Sequence, residues 1–144
     1  SYGRPSVSTL KTNTLTGTTS AGSIVVTGEG GSTTTNLQQG LTKNWSVCPV
    51  SSGTPSIDDS FNLASITDND VGNIFYNLTN AMASVNYTSI FNVQQGGASG
   101  TGSYFTQSVR TSNRTTSLYR ANNFENGSDA DPQQYDAQVN GDLA

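Results

Sequence analysis

Eight Asp, two Glu, four Arg, two Lys and a single Cys are the charged and nucleophilic side chains from which this 144-residue chain could build chemistry, and there is no His. The missing imidazole removes the commonest general base and metal ligand, so neither a Ser-His-Asp nor a Cys-His arrangement can exist. Asp58 and Asp59 are neighbours and point to opposite faces of a strand, a poor start for a paired-carboxylate site. Asp68-Asn69-Asp70 gathers the oxygens that hard cations favour. The EF-hand pattern, however, needs Glu at the twelfth position, where Thr79 stands, and a turn is the better reading. Asp129-Ala130-Asp131 repeats the idea more weakly. Cys48 has no base beside it and no partner for a disulfide, so it reads as a buried, inert thiol. Gly28-Glu29-Gly30-Gly31-Ser32 lacks the Gly-Lys-Ser/Thr ending of a phosphate cradle and runs into Thr33-Thr34-Thr35. No catalytic constellation, metal or cofactor is expected.

Recognition is the remaining chemistry. Tyr104, Asn113, Arg114 and Tyr119, with Arg120 beside them, fall in or next to the two strands that follow a glycine-rich loop. Aromatic faces with Asn and Arg donors hold sugar rings or peptide loops, so these four are the candidate receptor-binding residues. Tyr in a half-buried strand is also simply good sheet chemistry. Trp45, the only Trp, reads as a core or inter-subunit anchor rather than a ligand platform. Five Asn-x-Ser/Thr triplets begin at Asn44, Asn77, Asn86, Asn113 and Asn126, and a chain this rich in Asn, Ser and Thr supplies several by chance.

The elements that must position these residues follow from composition and period. Ser, Thr, Asn and Gln make 63 residues, while Leu, Ile, Val and Phe make only 28. A chain so poor in large apolar side chains forms a thin core alone, and burial between copies is the natural remedy. Two Lys and four Arg make no basic stripe, and the net charge is −4, so nucleic acid is not an expected partner. No run is long enough to span a membrane, and no charged-then-apolar signal segment opens the chain, so membrane insertion is not expected. Ser1 fits removal of an initiator Met beside a small residue.

Residues 1–20 are low in complexity, with isolated Val7, Leu10 and Leu15, and read as an extended attachment arm. Residues 21–46 read as a connecting or shaft segment. It holds a short strand at Ile24-Val25-Val26, and at 33–45 either a short helix carrying Leu37 and Leu41 or a wound, extended run. Gly40 weakens the helix. Pro49 should keep its strand at an edge or a strand start. Residues 59–93 organise the rest: three runs, with Phe61, Leu63 and Ile66, then Ile74, Tyr76 and Leu78, then Tyr87, Ser89, Phe91 and Val93 on one face. Their period of two predicts an antiparallel meander with one face buried. A strand over 115–121, an acidic loop over 122–132 and a closing run through Tyr135, Ala137, Val139 and Leu143 complete an all-β domain over 47–144. The expected fold class is an antiparallel β-sandwich or jelly roll preceded by an extended arm.

Three segments resemble a known family. GSIVVTGEGGSTTTNLQQGLTKNW is similar to the stretch that leads into the tip domain of tail-fibre and appendage proteins of marine tailed bacteriophages. DSFNLASITDNDVGNIFYNLTNAMASVNYT resembles the pattern that follows it, and VNGDLA resembles that family's closing strand. The likeness covers roughly residues 21–94 and 135–144. Asp70-Val71-Gly72 departs from the family's Gly-Thr-Gly, and the short arm favours a short spike, a capsid fibre or an adaptor-like appendage over a long fibre. The resemblance implies a non-enzymatic structural protein of the virion. Its arm would attach to another virion protein and its tip would contact a host-surface glycan or protein. It also implies a homotrimer, with Ile24, Val26, Leu37, Leu41 and Trp45 near the threefold axis. Rival readings are a capsid decoration protein without a receptor role, a polysaccharide-degrading tailspike, and a secreted bacterial adhesin or glycan-binding module.

Overall fold

The computed structural model describes residues 9–19, 23–28, 31–94, 104–108 and 114–144, with the side chains of Tyr104, Phe105 and Ser108 left aside. The chain divides into two units, Ser1–Leu37 and Gln38–Ala144. In the first, β1 (Val25–Thr27) and β2 (Thr34–Asn36) form an antiparallel hairpin. Leu10, Leu15, Val25 and Val26 are all exposed, so this unit has no apolar core of its own among its described residues. The expected helix is a single turn, α1 (Leu37–Gly40), which spans the division between the units.

The second unit is all-β, and its strands are antiparallel throughout. One five-stranded sheet holds β3 (Thr42–Ser51), β4 (Thr54–Pro55), β5 (Asp59–Phe61), β8 (Thr88–Gln94) and β12 (Gln134–Asn140). The other holds β6 (Leu63–Asp70), β7 (Asn73–Leu78), β9 (Tyr104–Ser108), β10 (Leu118–Glu125) and β11 (Ser128–Asp129). The strand that carries Trp45 is therefore a full member of the larger unit.

Alternation predicts the buried faces well. Ile74, Tyr76 and Leu78 are buried and Phe75 is not; Tyr135, Ala137 and Val139 are buried along β12; Ser89, Phe91 and Val93 face inward along β8. The meander is corrected. Only β6 and β7 pair with one another, while β8 leaves for the other sheet and pairs β12. The first run is also split, because Asn62 at φ 56° turns the chain between β5 and β6, which lie in different sheets. The physical reason lies at β7, whose second edge is taken by β10, so that Tyr76 and Tyr119 stack at 4.6 Å. The link 80–87 is then held by Met82 N–H to Thr116 O and Ala83 N–H to Asp142 O. The buried Tyr87 adds hydroxyl bonds to Thr115 O and Leu118 O.

Pro49 sits inside β3, not at its start. Val50 N–H bonds Gln133 O on the β12 side, and successive N–H groups alternate in direction, so Pro49's missing donor faces the other side. There β5 pairs 45–47 and β4 pairs 50–51, and the ladder skips position 49.

The predicted acidic loop over 122–132 is instead strand and hairpin. Asn126 and Gly127, both at positive φ, are the two-residue turn between β10 and β11. Asn-Gly is a strong hairpin signal, and Ser52-Gly53 does the same between β3 and β4. Gly72 has a second reason to be Gly: a Cβ there would lie 2.5 Å from Asn123 O and 2.7 Å from Ala130 N. Gly72→Ala should therefore cost about 2 kcal/mol or more, against about 1 kcal/mol for Gly127→Ala, whose surroundings are open. Urea unfolding of the two variants at unchanged m checks that order.

Candidate functional site

Of the residues expected to face a receptor, the two whose side chains are described, Arg114 and Tyr119, are both withdrawn from the surface. Tyr119 is 0% exposed, stacks on Tyr76 and donates its hydroxyl to Asn44 Oδ1, so it is a core residue. Its place on the inward side of β10 is what removes it from the candidates. Arg114 is half-buried with its guanidinium 3.9 Å from the centre of the Tyr87 ring, and its Nε and Nη2 are shielded from solvent. That stacking withdraws the fork from solvent. Asn113 and the side chain of Tyr104 lie outside the described residues, as does Val7 of the arm.

Three carboxylates brace neighbouring backbone and amide groups. Asp131 accepts from Gly72 N–H at 2.6 Å, Asp70 accepts from Val71 N–H, and Asp129 accepts from Asn122 Nδ2. Among the described residues no group of three His, Cys, Asp or Glu is placed to hold a metal ion. Cys48 is fully buried, and that burial pushes its thiol up to about 11. Burial likewise raises the phenols of Tyr76, Tyr87, Tyr119 and Tyr135, with the carboxylates of Asp131, Asp68 and Asp129 adding to the effect at Tyr135. Lys43 is lowered by burial, partly opposed by Asp142, and its ammonium donates to Gln38 O and Leu41 O at the end of α1. Of the described Asn-x-Ser/Thr positions, Asn44 is buried and bonded to Tyr119 and Phe61 O, which closes it to modification in the folded state. Asn86 and Asn126 are exposed.

What sequence reasoning missed is a surface. On the outer face of the β3 sheet, Phe61, Trp45, Gln138 and Ile90 stand opposite one another on four neighbouring strands. Phe61 is 49% exposed, Trp45 39% and Ile90 58%. Between Trp45 and Ile90 lies a shallow cleft of about 200 Å³, floored by Asp136, Ala137 and Gln138 and flanked by Asn92. The next row on that face is Asp59, Val47, Asp136 and Asn92. Asp136 accepts from Gln134 Nε2 at 2.7 Å and from Asn92 Nδ2 at 3.3 Å, which fixes its carboxylate. The only hint in the sequence was the outward phase of Trp45 and Ile90 in their runs. Phe61 sits on the outer side too, contrary to its expected grouping with Leu63.

Comparison with protein-family models, with curated proteins and with solved structures finds no match to this chain.

Two outcomes follow from the buried groups. Native Cys48 should resist a thiol reagent at neutral pH and react fully only once the chain is unfolded, which a timed labelling assay with and without urea reads directly. The raised phenols bind protons more tightly in the folded state than in the unfolded chain, where Tyr ionises near pH ~10. Their contribution is intact below that pH and declines as pH rises above it. Lys43, lowered on folding, acts in the opposite sense, as one amine against four phenols. The urea midpoint should therefore hold through neutral pH and fall above pH ~10, with the tyrosinate absorbance of the four buried phenols appearing together with unfolding.

Proposed function

We propose that this chain is a non-enzymatic structural appendage of a tailed bacteriophage virion. In this reading Gln38–Ala144 is a β-sandwich tip, preceded by an extended arm that attaches to another virion protein, and three copies assemble about one axis. The observation that carries it is the uncovered apolar surface of the described residues among the first 41. Leu10 is 79% exposed, Leu15 54%, Val25 55%, Val26 51% and Leu41 53%, with Ile24 and Leu37 half-covered. Their spacing has no heptad, so interleaved extended strands suit them better than a coiled coil. Burial against further copies would remove them from water at about 25 cal/mol per Å².

Support for a sandwich comes from ring contacts between the sheets. Phe91 of β8 lies 5.9 Å from both Tyr76 of β7 and Tyr119 of β10. The tip's role in this reading is contact with the host surface.

Sedimentation equilibrium of the full chain tests the assembly. A stable trimer at micromolar concentration is expected, and it should dissociate when Val26, Leu37 and Leu41 are changed together to Ser while the circular dichroism of the tip is retained. A well-folded monomer of the unaltered chain would sink the reading. Density for the chain at the periphery of an intact phage particle would establish its place in the virion.

A further inference from the structure

We infer that the Trp45–Ile90 cleft on the outer face of the β3 sheet is a binding site for a neutral sugar ring. The inference rests on the reading of the chain as an attachment module, and it gives that module its ligand class.

The argument begins with spacing. Trp45 and Ile90 both stand opposite Gln138, one on each neighbouring strand, so their backbones are roughly 10 Å apart. That gap has an aromatic wall on one side, an aliphatic wall on the other and amides and a carboxylate on its floor. At about 200 Å³ it is smaller than the pockets that enclose drug-sized ligands, so it takes one ring from above rather than swallowing a molecule.

The polar groups are set as acceptors. Gln138 Nε2 is committed to Thr42 Oγ1 at 3.2 Å and Asn140 Oδ1 at 3.1 Å, which fixes the amide plane and presents Oε1 as an acceptor. Asp136 is held by two amide donors and still has acceptor capacity on both oxygens. A pyranose matches this: its C–H face lies on the Trp45 indole while its hydroxyls donate to Asp136 and Gln138. No Lys or Arg lines the cleft, and Asp136 stands in it, so an acidic sugar is disfavoured. The acidic neighbours Asp59 and Asp136 also make this face a poor match for a second copy of itself. Trp45, expected at the trimer axis, is thereby assigned to ligand.

Trp45 is the only Trp in the chain, so indole emission, excited beyond the absorption of the six Tyr, reports on this cleft alone. The full chain is titrated with methyl glycosides of glucose, galactose, mannose and N-acetylglucosamine, with glucuronate and a short basic peptide as the charged controls. The expected result is a saturable change in Trp45 emission with at least one neutral glycoside and none with glucuronate. Asp136→Asn and Ile90→Ala should each weaken it about tenfold, the loss of one charge-assisted bond or one wall, without lowering the melting temperature. Silence across the neutral panel overturns the inference. So does a response that both variants leave unchanged, a response to a basic peptide alone, or a Trp45 emission that shifts only as the oligomer dissociates on dilution. A trimer that ignores sugars sinks this inference and spares the assembly, whereas a monomer that binds them does the reverse.

Discussion

One contact ties the larger unit together: the hydroxyl of Tyr119, on β10, donates to the side chain of Asn44, on β3, and so joins the two sheets through the middle of the core. Tyr119 is also stacked face to face on Tyr76, and Phe91 leans on both rings from the opposite sheet. A core with few large aliphatic residues gains much of its buried area from these rings, and each Tyr brings a hydroxyl that must be satisfied where water cannot reach. Asn44 meets that need for Tyr119, and its own Nδ2 is taken by Phe61 O, so a buried amide is matched on both sides. Elsewhere the match is incomplete, since the buried hydroxyls of Tyr76 and Tyr135 have no hydrogen-bond partner among the described residues.

The same chemistry explains why uncharged polar residues dominate the composition without leaving the chain disordered. Asn62 bridges Lys43 O and the backbone of Asn80, fastening the turn between β5 and β6 to two other segments. Asn123 is fully buried, accepts from Thr106 Oγ1 and donates to Ala130 O, locking β9 and the return from β11 onto β10. Asn73 and Asn122 receive Arg120 between them. Short amides that serve as donor and acceptor at once replace hydrocarbon as the means of fixing loops to strands. The cleft proposed to bind sugar uses the same groups turned outward, with Asn92 and Gln134 orienting Asp136 while Thr42 and Asn140 orient Gln138.

The first unit follows another logic. Its hairpin satisfies backbone groups, but Val25 and Val26 remain exposed, and a two-stranded ribbon alone is marginal in water. The proposed assembly would complete such an element by covering these residues with a partner surface.

The sequence by itself determined what depends on neighbours two residues away. Alternation in 74–78, 87–93 and 135–139 named the buried side of each strand correctly, because side chains alternate across a strand whatever it pairs with. The lone Cys48, with no base beside it, was legible as a buried thiol. Asn126-Gly127 is a hairpin signal inside the stretch expected as an acidic loop, where acidic and polar flanks mask short strands that pair over only two residues. Tertiary structure alone decided which sheet each strand joined, since pairing is set by partners far along the chain: β12 lies between β3 and β8, and β8 abandons β7. The same long-range register placed Tyr119 inside and brought Phe61, Trp45, Gln138 and Ile90 into one exposed row. No local pattern could announce that row, because its members meet only after both sheets have formed.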